Sequence, residues 1–363
     1  MQVNCIELEN FRSYVQSSFA FSPDINVITG ENAQGKTNLL ESIYLLTGTR
    51  SWRTRFDKEL IRFDCPFARI RAEVFAEERE QKIELLLRRG QRRKILKNGV
   101  SKTSAELSGT FCAVLFSPDD LSLVRDGAQS RRKFMDAALS QLRPQYEALI
   151  SRYSRLYEQK SAALRQGREK PSLLLPLGEL SEQMGVLSAQ IIRYRAAFLR
   201  RLEEKAKKIH YEFSGSREEL SLSYKTVSTV TDPLASATEI YMQVAEHQKN
   251  HEQAEIDSGS CLTGIHKDDI EICLNGVSAR IFASQGQART AALSMKMAER
   301  LLFLDETGQP PVLLLDDVLS ELDERRQSFI LNHIGGGQTF ITCCEGAEIA
   351  RRTGGHVMMV EKE

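Results

Sequence analysis

The apolar positions change rhythm three times along the chain. Up to residue 125, short strand-like runs alternate with one strong helical pattern. Val3–Leu8, Phe19–Phe21 and Ile25–Thr29 read as strands, and Lys36–Leu46 as a helix with Leu39, Leu40, Ile43 and Leu46 on one face. Arg69–Phe75, Lys82–Leu87 and Arg93–Leu96 predict an antiparallel meander with Asn98-Gly99 as a turn, and Cys112–Phe116 a compact buried strand. Residues 256–363 return to strand and helix alternation.

The stretch between, 126–255, is helical and charged. Met135, Leu139, Leu142, Tyr146, Leu149, Tyr153 and Leu156 alternate spacings of four and three. Leu180, Met184, Leu187, Ile191, Tyr194 and Phe198 repeat them. Such a rhythm is an a/d seam. Pro144 should kink or restart the first helix, and Pro171 and Pro176 bracket a turn. The economical arrangement is an antiparallel hairpin whose arms of about 35 residues would project roughly 50 Å. Each seam spans only about three heptads, so two ordinary core helices with apolar stripes stay open as a reading.

Length and charge narrow the field. At roughly 150 residues per domain, 363 residues suggest two domains or one large domain with an insertion. The pattern divides them at 1–125, 126–255 and 256–363. Lys plus Arg equals Asp plus Glu at 49 each, so any surface for nucleic acid must be local. There is no apolar run long enough to span a membrane and no signal-peptide pattern. The seven cysteines are scattered and never spaced as CxxC, which argues against a disulfide framework or zinc site and for a reducing cytoplasm.

Gly30-Glu31-Asn32-Ala33-Gln34-Gly35-Lys36-Thr37 fits GxxxxGK[ST], between an expected strand and an expected helix. Such a loop turns its backbone N–H groups around phosphate oxygens. Gly30 and Gly35 permit close approach, Lys36 reaches the β- and γ-phosphates, and Thr37 ligates Mg²⁺. The following helix aims its positive end at the same anion. A second Mg²⁺ anchor is expected at the end of the apolar run Val312-Leu313-Leu314-Leu315. Asp316 fills that place, and Asp317 is the candidate to orient an attacking water. ATP and Mg²⁺ are the cofactors implied.

Ser284-Gln285-Gly286-Gln287 stands just ahead of an expected helix, Ala288–Leu304. Alone it would be a polar cap. Followed by the strand ending in Asp316 and by Ser320-Glu321-Leu322-Asp323, it resembles the signature and D-loop of ABC-type ATPases. In that class the signature grips the γ-phosphate held by the other protomer. Leu8-Glu9-Asn10-Phe11-Arg12-Ser13-Tyr14, Phe116-Ser117-Pro118-Asp119-Asp120-Leu121, Arg131-Arg132-Lys133-Phe134-Met135-Asp136 and Gly264-Ile265-His266-Lys267-Asp268-Asp269 extend the likeness. Over residues 8–323 the chain resembles the RecF family, among the SMC/Rad50-like ABC-type ATPases. The last of these segments has Lys267 where Arg is usual in that family.

The resemblance implies an α/β fold: an ABC-type P-loop ATPase head with a mostly helical arm domain forming a short antiparallel hairpin. It implies a DNA replication, repair and recombination mediator in the SOS response, cytoplasmic and associated with the nucleoid. Its partners would be double-stranded DNA and single-strand/double-strand junctions, RecR, with RecO and RecA downstream, and a second copy in an ATP-dependent homodimer. Arg12 would contact ATP, Ser284, Gln285, Gly286 and Gln287 would act in trans, and Asp323 would belong to the D-loop. The segment Phe111–Leu121 lacks the Q-loop glutamine of ABC-type ATPases. Thr339-Phe340-Ile341-Thr342-Cys343-Cys344 lacks the switch histidine, with Thr342 as a substitute, and Asp317 replaces a glutamate. These departures favour ATP as a slow switch with weak DNA-stimulated turnover. A transporter ATPase subunit would carry those residues and lack the helical insertion. A Rad50-like nuclease partner would need longer arms and a CxxC apex.

Two stretches are locally basic. Residues 79–97 hold eight basic side chains against two acidic, and 187–208 hold seven, Arg195 among them, against two. Neither has base-reading spacing. Both suit phosphate contacts without sequence choice, or are simply solvated faces. The expected DNA contacts are Arg88, Arg89, Arg92, Arg93, Lys94, Arg200, Arg201 and Lys205.

Overall fold

The computed structural model describes every residue except Arg55, Arg168, Glu345 and 361–363. By internal contact the chain forms two compact units. The first comprises Met1–Ser122, Ser140–Pro144 and Ala292–Glu363, the second Leu123–Leu139 and Gln145–Ala291.

A five-stranded parallel sheet lies at the centre of the first unit. Its order is His356–Met359, Ile25–Thr29, Thr339–Cys343, Val312–Asp316, Ala113–Phe116. The last three are buried throughout, as the unbroken apolar runs require of strands covered on both faces. Register sets Asp316 beside Thr342 and Thr342 beside Ile28. The loops after these strands therefore open at one edge, where ligands bind in sheets of this kind.

The same unit holds a six-stranded antiparallel sheet in the order Tyr14–Ala20, Gln2–Phe11, Phe67–Ala76, Arg79–Arg88, Lys94–Lys97, Val100–Lys102. The turn at Asn98-Gly99 forms as expected, with φ of 52° and 79°. Another two-residue turn, Arg12-Ser13, joins the first two strands, and Arg12 stands at φ 54°.

Pro144 restarts a helix: Ala128–Leu142 ends before it and Pro144–Gly167 begins on it, most of both lying in the second unit. That helix and Leu177–Phe213 form the hairpin, with Pro171–Leu174 as a single 3-10 turn between them. At 37 residues the second arm is about 55 Å long. A third helix, Ala237–Ser258, packs along it. Three short strands, Leu220–Lys225, Asp269–Leu274 and Val277–Ser278, form a small antiparallel sheet. Among the described residues no helix is long and apolar enough to cross a membrane.

The base of the hairpin is held by buried charge. Arg195 pairs with Asp136 at 2.9 Å and Asp268 at 2.7 Å, and Arg131 with Asp269 at 2.6 Å. Tyr224 and Thr226 donate to the Asp268 carboxylate. Arg195 is therefore no part of a basic surface. It lies four residues after Ile191, turned into the interior with the seam. Removing it would leave two carboxylates uncompensated, at a cost of about 3–5 kcal/mol.

Candidate functional site

Strand Ile25–Thr29 runs directly into the phosphate-loop sequence, and helix Lys36–Leu45 leaves it. Two glycines are fixed by space as well as by dihedral. A Cβ on Gly30, at φ 152°, would lie 2.5 Å from the Val360 carbonyl. One on Gly35, at φ 113°, would lie 2.9 Å from the Tyr14 hydroxyl. Glu31, Asn32 and Ala33 are exposed at the crest, and the Gln34 side chain accepts from the Glu31 N–H at 3.0 Å. Lys36 is buried beneath. Its ammonium donates to the carbonyls of Gly30 at 2.6 Å and Glu31 at 2.9 Å.

The acidic strand end meets this loop through a hydroxyl. Thr37 donates to Asp316 Oδ1 at 2.8 Å, and Thr342 donates to the same oxygen at 3.1 Å. The Thr342 Oγ1 accepts from the Asp317 N–H at 2.8 Å, so one small side chain ties both acidic residues. Burial, against these hydroxyls, raises the Asp316 carboxyl above its ordinary range. A hydroxyl and a buried carboxylate converging in this way are a hard-oxygen pair that fits Mg²⁺. Asp317 is half-buried at φ 50°, a conformation uncommon outside glycine that recurs at functional sites. At the Q-loop position, strand Ala113–Phe116 ends in a turn where Ser117 donates to Asp120 from both N–H and hydroxyl.

Arg12 lies beside the loop, engaged with a residue that the sequence reading passed over. Its guanidinium makes a bidentate pair with Glu41, at 2.8 and 2.7 Å, and donates to the Glu59 carbonyl at 3.0 Å. Glu41 is fully buried on the phosphate-loop helix and also receives Arg53 at 3.3 Å. Arg53 donates to Asn38 as well, and Asn38 to the Ser13 hydroxyl at 2.9 Å. Tyr14 donates to the Gly35 carbonyl at 3.1 Å. The Arg12-Ser13 turn and Glu41 thus brace the loop from behind. Glu41 was hidden because both faces of its helix are covered, so it follows no amphipathic period. Asp323 caps helix Glu324–His333 by accepting from the Arg326 N–H at 2.9 Å.

The signature sequence belongs to the second unit and starts helix Gln285–Thr307. Ser284 and Gln287 form a reciprocal cap. The Gln287 N–H donates to the serine hydroxyl at 3.2 Å, and the Ser284 N–H donates to Gln287 Oε1 at 2.8 Å. Ser284 and Gln285 are exposed, as are Ile281 and Phe282 just before them, at 72% and 70%.

The basic residues divide. Arg88, Arg89, Arg92, Lys94 and Arg200 are exposed; Arg93, Arg201 and Lys205 are half-buried. Arg93 holds Asp57 at 2.7 Å and the Thr49 carbonyl at 2.9 Å, and Arg89 donates to the Cys65 carbonyl at 3.0 Å. Arg79, Lys82 and Lys97 each pair with a glutamate.

The RecF/RecN/SMC N terminal domain model matches residues 2–352. A "DNA replication and repair protein RecF" of Lactobacillus johnsonii is 40% identical over 338 residues, covering 93% of this chain and 90% of the relative. The Bacillus subtilis protein of that name is 39% identical over 345 residues, covering 94% and 93%. A solved structure described as the recombination mediator protein RecF-ATPrS in the RecFOR pathway superposes with a TM-score of 0.90 at 32% identity, covering 99% of this chain and 97% of the other. An SMC head bound to the C-winged helix domain of ScpA gives 0.55 at 14% identity, covering 100% and 95%, a likeness of fold alone.

Proposed function

The chain belongs to the RecF family, and from that premise we propose that it is an ATP-switched DNA-binding protein of recombinational repair. The observation that carries this reading is the hydroxyl bridge from Thr37 to Asp316, which joins a complete phosphate loop to the carboxylate a nucleotide's cation needs. Relatives are named for DNA replication and repair, and one is described with ATP.

In this reading Gly30 to Thr37 wrap the phosphates, and Lys36 exchanges its two loop carbonyls for β- and γ-phosphate oxygens. Thr37 and Asp316 would hold Mg²⁺, which when bound neutralises phosphate charge. Arg12, locked on Glu41, would act at the loop's flank. Asp317 would orient the water whose addition to the γ-phosphorus breaks the bond to the bridging oxygen. Thr342 stands in the switch position and holds Asp317 by its backbone only. With no imidazole there, turnover would be slow and ATP a timer.

The second half of the site would come from another copy. Ser284 already accepts from Gln287, which leaves its own hydrogen to donate toward an anion, and the helix end adds its dipole. The exposed Ile281 and Phe282 supply apolar surface for a partner to cover. The head would draw on both chain ends and the arm on 126–255, with Asp323 near the paired face. Arg88, Arg89, Arg92 and Lys94 in the first unit, and Arg200, Arg201 and Lys205 in the second, would meet the phosphates of duplex DNA at gap junctions. RecR and RecO would act beside it and RecA downstream, in the cytoplasm at the nucleoid. Fluorescence anisotropy of labelled gapped duplex tests this: affinity should rise at least tenfold with ATP, and equal affinity with and without ATP would refute the switch.

A further inference from the structure

The signature turn is wired to the long arm helix. The Gln287 side chain that caps Ser284 through Oε1 also donates through Nε2 to Glu218 Oε1, at 2.9 Å. The other oxygen of Glu218 lies 3.1 Å from His210 Nε2. His210 is fully buried in the last turn of helix Leu177–Phe213, and its ring also bonds to the Thr290 carbonyl one turn into the signature helix. Three side chains, His210, Glu218 and Gln287, therefore form one continuous path from the end of the arm helix to the backbone N–H of the exposed Ser284.

Glu218 decides how this path is oriented. An amide can present either oxygen or nitrogen to a neighbour. A carboxylate accepts only, so Glu218 obliges Gln287 to turn its NH₂ inward and its oxygen toward the Ser284 N–H. Glu218 is itself pinned: its N–H donates to Ser214 Oγ at 3.2 Å, and Ser214 N–H donates back to the His210 carbonyl at 2.8 Å. The next residue, Glu219, is fastened to Asn275 by N–H and carbonyl at 2.8 and 2.9 Å. The backbone that carries this carboxylate is thereby tied to the arm helix's last turn.

We propose that Glu218 is a positioning residue for the signature turn, and that through His210 it makes the state of the arm helix and the ATP-dependent pairing of two copies depend on each other. The inference rests on the paired-copy reading above. The dependence runs both ways: a ligand on the arm that alters the pairing constant must have its own affinity altered by pairing to the same extent. Glu218 touches neither nucleotide nor cation, so the affinity of the phosphate loop for ATP should not change with it.

The test measures three quantities: ATP affinity of the dilute single copy, the ATP-dependent pairing constant by sedimentation, and the change in that constant on adding duplex DNA. Glu218→Ala should leave the first within twofold and weaken the second at least tenfold. Glu218→Gln can still accept from Gln287 and donate to the other His210 tautomer, so it should restore pairing to within about threefold. A purely structural role would give no such split. His210→Leu keeps the Gln287 contact but severs the arm: pairing should persist and the DNA effect should vanish. If Glu218→Ala pairs like wild type, and His210→Leu keeps the full DNA effect, the inference is wrong. Should Glu218→Ala melt below the assay temperature, His210→Leu decides by the same criterion. If wild type itself does not pair with ATP, the paired-copy reading fails first and takes this one with it.

Discussion

Two turns in this molecule would face a phosphate in the function proposed, and they are supported in opposite ways. The loop Gly30–Thr37 grows from a parallel sheet whose strands Thr339–Cys343 and Val312–Asp316 are buried throughout, and its lysine is already folded beneath it. The turn at Ser284 is exposed and stands in a unit whose base is braced by buried ion pairs and a buried imidazole. The first is complete within one chain. The second presents a hydroxyl, a helix end and exposed apolar side chains, Ile281 and Phe282. A site divided in this way, as proposed, could be switched, because neither half would close the anion alone.

The sharpest way to separate the halves is to remove one. Lys36→Ala should abolish ATP binding, with a loss of about 3–4 kcal/mol, several hundredfold, since the β- and γ-phosphates lose their mobile cation. Titration calorimetry reads this directly, and retained affinity would end the phosphate-loop assignment. Ser284→Arg should do the reverse. ATP affinity should stay within twofold, while ATP-dependent pairing weakens by about 100-fold, roughly 2.7 kcal/mol, as a bulky cation replaces a small donor. DNA binding should fall with it.

Acid should distinguish the two supports. His266 is packed on Tyr157, with Nε2 3.1 Å from the Cys261 carbonyl and Nδ1 3.3 Å from the Tyr153 hydroxyl. Burial lowers its pKa from 6.5 to about 4. Between those values the unfolded chain takes up a proton that the folded chain refuses. Its contribution is whole above pH 6.5 and is lost as pH falls toward 4, by up to about 3 kcal/mol. Denaturant melts against pH should show this acid limb, and His266→Gln should flatten it. The smallest effect is on turnover: Asp317→Asn keeps the fold of the loop but removes the charge that orients water, so hydrolysis should slow about tenfold (roughly 1.4 kcal/mol) and the paired state last correspondingly longer.

The same contrast explains what could be read from the amino-acid sequence. The parallel strands were legible because unbroken apolar runs of four or five residues have few other uses, and the phosphate loop because its glycines and lysine have fixed spacing. The hairpin was legible from its seams and from Pro144. Helix Ala237–Ser258 was not, since its buried face includes Gln248 and Glu255 beside Ile240 and Val244. Strand His356–Met359 is an edge strand, mostly exposed, with no alternation to betray it. The Arg12-Ser13 turn escaped because an arginine in the left-handed region costs about 1–2 kcal/mol, and the contacts that offset this, to Glu41, Glu59 and Leu60, are distant in the sequence. Arg195 was counted with the basic face because charge was read without period. Its place four residues after Ile191 was the signal that it points inward. The path from His210 to Ser284 joins residues 74 positions apart in the sequence, and spacing alone does not bring them together.

Sedimentation velocity of the wild-type chain, with and without ATP and with gapped duplex DNA, tests the divided site most directly. A divided site should give a single copy without nucleotide, a two-copy species with ATP, and DNA cosedimenting with the two-copy species alone. A single copy that carries DNA equally well in the presence and absence of ATP would contradict it.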